Sequence, residues 1–314
     1  MAEIICTLVS VSEETPDIKG FVFDVAQGNC LDWTAGAHVR VVLPKGGDRA
    51  YSLLRLPGLK PGQIALGVLQ EAQSTGGSSY MHGLSVGESV TMTGPKNQFP
   101  LVFHSTPALL LAGGIGVTPI LSMAAELSAA DRPYEVHYAG RHEGALALVP
   151  EMQEICGDAL HLHYDDADSA LDIAATLRDA SDGAHLYICG PSGMIDAVKA
   201  EAARQGWDSG RIHFELFMAE AASDSDTAFD VEIHNTGQVI HVAADKSIIE
   251  ALEEAGLDPL YDCQRGDCGI CQCDVIDGIP DHRDVILTDS EKASNSVMQI
   301  CVSRAKSAKL VLDL

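Results

Sequence analysis

The stretch "YDCQRGDCGICQCDV", residues 261–275, sets four cysteines within eleven residues: Cys263, Cys268, Cys271 and Cys273. The first three form C-x4-C-x2-C, and Cys301 stands alone after 29 intervening residues. That is the plant-type spacing of a [2Fe–2S] cluster held by four thiolates. A structural zinc site is the alternative, but its usual signature is two C-x2-C or similar knuckles, and only one such pair belongs to this pattern. Gly266 and Gly269 lie inside the run. Without a Cβ, each lets the backbone close round a cluster and aim N–H groups at sulfur, which stabilises the reduced form. Cys273 falls outside the spacing, and strand alternation turns it away, so it reads as a packed thiol.

The rest of the chain allows two or three domains in 314 residues, each able to bury a core. Twenty basic and 45 acidic residues give a net charge of -25, which excludes the basic surface that nucleic-acid binding needs. The same charge suits solubility and docking on a basic protein. The opening "MAEIICTLVS" carries Glu3 and lacks a basic segment followed by an apolar core, so no signal peptide is expected. The longest apolar run, "PALLLAGGIGVTPIL", is glycine-broken and too short to span a bilayer. A cytoplasmic protein with no membrane partner is the expectation. There, nine cysteines are reduced, so clustered ones point to metal and scattered ones to packing.

Three segments differ in pattern. Residues 1–105 show short strand-like runs with turn punctuation, such as "GFVFDVA", "AHVRVVLP", "QIALGVLQ" and "ESVTMTGP", which predict an antiparallel barrel or sandwich. Residues 106–217 alternate strand ("ALLLAGG", "YEVHYAG", "LHLHYDD", "HLYICGP") with helix ("TPILSMAAELSAA", "SGMIDAVKAEAARQG"). This predicts an α/β domain with a parallel sheet covered on both faces. Residues 218–227, "MAEAASDSDT", read as a linker. Residues 228–314 hold a hairpin turning at 235–238, a helix capped by Asp245 or Ser247 and ending at Gly256, the cysteine loop and a closing strand "KLVLDL". A ten-residue linker reaches at most about 35 Å.

Together, "CQRGDCGIC", "DGIPDHRDVILTDSEK" and "CVSRAKSAKLVLDL" resemble the C-terminal ferredoxin domain of the phthalate dioxygenase reductase family, which includes the vanillate demethylase reductases. The resemblance covers essentially the whole chain. It implies a flavin-binding antiparallel β-barrel, a nucleotide-binding α/β domain and an α+β plant-type ferredoxin domain of the β-grasp kind. It also implies FMN, NADH and a [2Fe–2S] cluster ligated by Cys263, Cys268, Cys271 and Cys301.

Within that resemblance "RAYSL" matches the R-x-Y-S flavin motif. Arg49 supplies positive charge to the phosphate, Ala50 follows it, Tyr51 covers part of the ring, and Ser52 hydrogen-bonds near N5. Backbone groups of Val68, Leu69 and Gln70 line the same site; the family commonly has a basic residue where Gln70 stands. "TGGSSYMH" resembles the FMN phosphate loop, through Gly76, Gly77 and Ser78, and FAD is the alternative flavin. Phe217, in "IHFELF", corresponds to an aromatic residue that packs on the flavin.

"AGGIGVTP" is not G-x-G-x-x-G but resembles the superfamily's own nucleotide loop, with Gly113, Gly114 and Gly116 permitting close approach to a pyrophosphate. Thr118 resembles a residue that reaches the flavin. Cys189, Gly190 and Pro191 resemble the C-G-P turn beside the nicotinamide, with the thiol a soft contact and not a nucleophile. Arg141, after "YEVHYAG", sits where a 2′-phosphate pocket would form, and the resemblance favours NADH over NADPH. The twelve histidines lie scattered and read as packing or surface residues.

The function implied is an NADH-dependent reductase that passes electrons through FMN and the [2Fe–2S] cluster to a terminal Rieske-type oxygenase or O-demethylase. A flavin reductase releasing free reduced FMN, or a reductase for a different monooxygenase, is the alternative.

Overall fold

Alternation builds the first domain: in β1 (Glu3–Glu13) the side chains of Ile4, Cys6 and Leu8 point inward while their neighbours face out. β2 (Ile18–Val25), β3 (Ala37–Val42), β4 (Asp48–Leu54), β5 (Gln63–Leu69) and β6 (Ser89–Asn97) complete a closed antiparallel barrel in the order β1-β2-β5-β4-β3-β6. Its inside is filled by Phe21, Phe23, Val39, Val41, Leu53, Leu66 and Met92. The short helix α1 (Gly77–His82) drops Met81 into that core, and His82 Nε2 meets the carbonyl of Val68 at 2.9 Å. The structure is a computed structural model and describes residues 3–26, 31–72, 74, 76–217 and 226–314.

The second domain alternates strand and helix. Its elements run β7 (Ala108–Gly113), α2 (Val117–Ala129), β8 (Tyr134–Gly140), α3 (Val149–Cys156), β9 (Leu160–Tyr164), α4 (Ile173–Asp179), β10 (His185–Cys189), α5 (Ser192–Arg204) and β11 (Ile212–Glu215). All five strands are parallel, in the order β11-β10-β7-β8-β9. The chain leaves β7 towards β8 and β9, then returns to the other side of β7 for β10. The carboxyl ends of β7 and β10 therefore flank the switch point, where such sheets open a ligand crevice.

The barrel and this sheet belong to one unit, Met1–Glu215, and α2 joins them. Nine of its thirteen residues are buried. Ser122 Oγ donates to the carbonyl of Leu53 at 2.7 Å and accepts from the N–H of Arg55 at 3.0 Å, acting as a strand partner at the end of β4. One turn on, Glu126 Oε1 accepts from Arg55 Nε at 2.9 Å and from the N–H of Ala35 at 2.8 Å. Arg55 also lies over the Trp33 ring, 4.3 Å from its centroid.

The second unit, Leu216–Leu314, is built on a mixed sheet. β12 (Phe229–Ile233) and β13 (Val239–Val242) form the expected hairpin, followed by α6 (Ile248–Glu254). Ser247, not Asp245, caps α6, in a reciprocal capping box with Glu250, and Gly256 at φ +79 follows its end. After it come β14 (Gln272–Asp277), β15 (Pro280–Asp281), α7 (Asp289–Ser294), β16 (Val297–Gln299), β17 (Arg304–Ala305) and β18 (Lys309–Asp313). The sheet order is β13-β12-β18-β14-β16, with β12 and β18 parallel. Of the expected linker, residues 218–225 lie outside the described residues. Asp226 is held by a bidentate pair with Arg283, and Arg304 reaches the Thr227 carbonyl.

Replacing Ser122 by Ala leaves the buried Leu53 carbonyl and Arg55 N–H without partners, a cost of about 1–3 kcal/mol. The Ser122→Ala protein is expected to lower the urea midpoint of the 1–215 unit at an unchanged m-value, as followed by far-UV circular dichroism.

Candidate functional site

Three sets of residues gather in the structure. In the barrel, Arg49 and Tyr51 on β4 meet the start of α1. A Cβ on Gly77 would lie 2.4 Å from Arg49 Cγ and 3.0 Å from the Tyr51 hydroxyl, so only glycine lets the "GGSS" turn rest on this strand. Gly76 itself takes φ +109. Burial pushes the Tyr51 hydroxyl up to about 12, with Arg49 opposing and Glu71 adding to the rise. Ser78 is buried, and its hydroxyl is engaged by the N–H of Glu71 at 3.2 Å and by Ser74 at 2.9 Å. Ala50 is half-buried, Ser52 is buried, and His38 stands opposite it across the β3–β4 ladder. Val68 packs into the core, whereas Leu69 and Gln70 are half-buried at the strand end, where Gln70 Nε2 reaches Ser79 Oγ at 3.4 Å.

At the switch point, Gly113 and the turn Gly114–Gly116 follow β7, and Cys189, Gly190 and Pro191 end β10. The two turns touch backbone to backbone. A Cβ on Gly116 would stand 2.2 Å from the Cys189 carbonyl oxygen, and one on Gly113 would stand 2.8 Å from Pro191 Cδ. Gly114 adopts φ +53. Cys189 is fully buried, so its thiol packs beneath the turn, while Gly190 and Pro191 carry the accessible surface. Thr118 is likewise buried: its hydroxyl donates to the Ile115 carbonyl at 3.0 Å. Its methyl lies where a Cβ on Gly67 would come within 2.8 Å, which brings β5 against the head of α2. Arg141 is exposed just past β8. Phe217 is half-buried and belongs to the second unit.

In the second unit the four spaced cysteines converge. Cys263 shares hydrogen bonds with Cys268 and Cys301, and Cys271 shares one with Cys301. As thiols they split their protons unequally. Bonds from Cys268 and Cys301 hold Cys263 low, and Cys301 holds Cys271 low. Cys268 and Cys301 are pushed up, each first by its bond to Cys263. Four sulfurs so close become anionic together only with cations among them, which is the donor set an iron–sulfur group requires. The loop bends through three left-handed residues, Gln264 (φ 55), Gly266 (φ 78) and Gly269 (φ 77). A Cβ on Gly266 would stand 2.7 Å from Val302 Cγ2. The N–H of Arg265 points at Cys263 Sγ, 3.3 Å away.

Cys273 sits on β14 in the hydrophobic core, its thiol pushed up to about 12 by burial first, then by Cys271. Two neighbours escape sequence reasoning. Gln299, fully buried, accepts from Cys271 Sγ at 3.4 Å and donates to Gln272 Oε1 at 3.0 Å. Asp267 touches Cys263 and accepts from the N–H of Leu216 at 3.4 Å; burial raises its carboxyl to about 6 against the pull of Arg265. Position beside a ligand was the one signal for Asp267, and no spacing rule marks Gln299.

Known proteins agree with this arrangement. Residues 231–306 match the 2Fe-2S iron-sulfur cluster binding domain family. Residues 98–212 match the N-terminal domain of dimethylamine monooxygenase subunit DmmA-like proteins. Vanillate O-demethylase oxidoreductase from Pseudomonas sp. (strain HR199 / DSM 7063) is 43% identical, with both chains covered over their full length. The solved structure of phthalate dioxygenase reductase, described as modular for electron transfer from pyridine nucleotides to [2Fe–2S], is 34% identical with a TM-score of 0.78. It covers 100% of this chain and 98% of its own. An intact type IV self-sufficient cytochrome P450 monooxygenase is 32% identical with a TM-score of 0.75, and the present chain spans 41% of its length. Among the described residues no helix is long and apolar enough to cross a membrane. With a barrel, a switch-point sheet and four converging cysteines in a chain matched over its full length by these relatives, the protein is an oxidoreductase that belongs to the family of phthalate dioxygenase reductase and the vanillate O-demethylase oxidoreductases.

Proposed function

We propose that the protein is the reductase component of an oxygenase or O-demethylase system, drawing electrons from NADH and delivering them singly to a terminal Rieske-type oxygenase. The observation that carries this reading is the convergence of Cys263, Cys268, Cys271 and Cys301 in a chain whose β5 and α2 meet at Gly67 and Thr118. FMN, when bound, converts a hydride pair into single electrons, and a [2Fe–2S] cluster carries them one at a time.

The chain's own residues bind and orient. Arg49 offers a forked cation to the FMN phosphate, joined by the backbone N–H groups of Gly76, Gly77 and Ser78. Tyr51 covers one face of the ring, with Ala50 and Ser52 beside it and backbone groups of Val68, Leu69 and Gln70 at its edge. Thr118 lies below, its methyl against Gly67 and its hydroxyl spent on Ile115. Gly113, Gly114 and Gly116 admit the NADH pyrophosphate to the N-terminus of α2, whose peptide dipoles favour an anion. Gly190 and Pro191 bear on the nicotinamide, over the packed Cys189. No side chain has to donate or remove a proton.

A phosphate bound locally by the turn of Gly76, Gly77 and Ser78 needs no adenosine site, which favours FMN over FAD, and exposed Arg141 alone makes no cage for a 2′-phosphate, which favours NADH. The segment 228–314 holds 16 acidic and 7 basic residues, a net of -9, suited to transient docking on a positive partner face. The likeness to a self-sufficient P450 supports a second reading, in which the terminal partner is a haem monooxygenase.

Anaerobic NADH is expected to bleach both flavin and cluster absorption and to yield the EPR signal of a reduced [2Fe–2S] centre. Turnover with candidate oxygenases should then fall as salt rises; absence of the EPR signal removes the reading, and a flat salt response removes the electrostatic docking. Arg49→Gln keeps the stem that packs on Gly77 but removes a charged hydrogen bond, so FMN affinity should drop about 10- to 100-fold in a fluorescence titration. Gly266→Ala should lose most of its iron and labile sulfide while retaining flavin. Gly237→Ala, at φ +70 with open space around it, should keep its iron.

A further inference from the structure

Three imidazoles meet at the end of the parallel sheet remote from the nucleotide turns. His185 opens β10, His213 lies on β11, and His104 lies on the connector between β6 and β7. One ring nitrogen from each falls within 4.8 Å of the other two. His185 Nδ1 and His213 Nε2 are 3.1 Å apart, and the His104 ring lies flat on His185 with centroids 3.3 Å apart at 5°. His104 Nε2 is buried with no hydrogen-bond partner among the described residues. The connector is held over this face by Tyr187, whose hydroxyl accepts from the N–H of Val102 at 3.1 Å and whose ring stacks on His213 at 4.6 Å.

Packing alone explains this cluster poorly. A buried ring nitrogen without a partner costs about 1–3 kcal/mol, and neutral imidazoles bring one donor hydrogen each. A tetrahedral ion bound at 2.0–2.1 Å spaces its ligand nitrogens by about 3.4 Å, close to the separation of His185 and His213. The third nitrogen, within 4.8 Å of the others, has to close by at most about 1.4 Å, within reach of a turn of the His104 ring on its connector. All three residues are only half-buried, which leaves room for a water as fourth ligand.

We propose that His104, His185 and His213 form a binding site for a divalent transition-metal ion of the zinc class, which clamps the connector onto the parallel sheet. Imidazole donors select zinc, copper or nickel over magnesium and calcium. A neutral imidazole carries one ring lone pair, so ion binding replaces the hydrogen bond between His185 and His213 and moves its proton to the outer nitrogen of that ring. Burial first, then the neighbouring imidazoles, lowers the proton affinity of His185 and His213. Of the charged groups at hand, Arg211 opposes a cation beside His185 and Asp208 favours one, while Arg132 is spent on the His104 carbonyl. The site stands a strand's length, about 13 Å, from the turn at Cys189, so its ion is structural and outside the electron path.

The test loads zinc chloride onto the holoprotein, with flavin and cluster in place so that the four clustered cysteines are occupied. Calorimetry should give one saturable equivalent per chain, weakened at least tenfold in His104→Gln and unchanged in His161→Gln on the exposed edge strand. Zinc K-edge absorption, which iron does not obscure, should give nitrogen neighbours at about 2.0–2.1 Å with imidazole outer-shell scattering. That measurement on the unaltered protein decides the matter even if a variant misfolds. A sulfur shell near about 2.3 Å, the absence of saturable binding, or equal affinity in wild type and His104→Gln would overturn the assignment.

Discussion

The hydroxyl of Ser122 holds the first unit together. It completes the end of β4 as another strand would, and Glu126 one turn later takes Arg55 and the N–H of Ala35. Through these bonds α2 is fixed to the barrel at one face and to the parallel sheet at the other. Its N-terminus carries the "GGIG" turn, so the seam also sets where that turn lies against the barrel. The closeness this needs is visible at Gly67 and Gly116, where any side chain would strike Thr118 or the Cys189 carbonyl. Electron transfer between two bound cofactors depends on just such a fixed, dry approach of one element to another.

The second unit meets a different constraint. Three sulfurs on one loop must converge with that of Cys301 beyond β16, so the loop backbone turns through left-handed positions, two of them held by glycine. Around them the protein spends buried polar groups sparingly: Gln299 behind Cys271, Asp267 beside Cys263, and the N–H of Arg265 on Cys263. Each bears on the charge the sulfurs carry, which is how a protein tunes a group whose chemistry it does not itself perform.

The two ends of the parallel sheet divide their labour. Glycines and short turns crowd the carboxyl ends of β7 and β10, where a ligand has to come close. Aromatic and imidazole rings crowd the amino end, where the connector from the barrel crosses and is held by Tyr187. Stacked rings and hydrogen bonds there fix the connector's path into β7, and so the entry of the whole second domain.

By itself the amino-acid sequence determined the three-part order, the strand and helix periods, the four-cysteine spacing and the glycine turns, because each rests on local geometry and residue type. The hairpin at 235–238 and the buried Cys273 belong to the same class, whereas the choice of Ser247 over Asp245 as cap was settled by the structure. Tertiary structure alone decided that Ser122 would serve as a strand partner, that Cys189 and Thr118 would be packed away from the surface, and that Gln299 would lie against Cys271. It also gathered His104, His185 and His213, scattered over more than a hundred residues, into one cluster. No local pattern carries such facts: they follow from parallel pairing and helix docking, which join residues distant in the chain and leave no period behind.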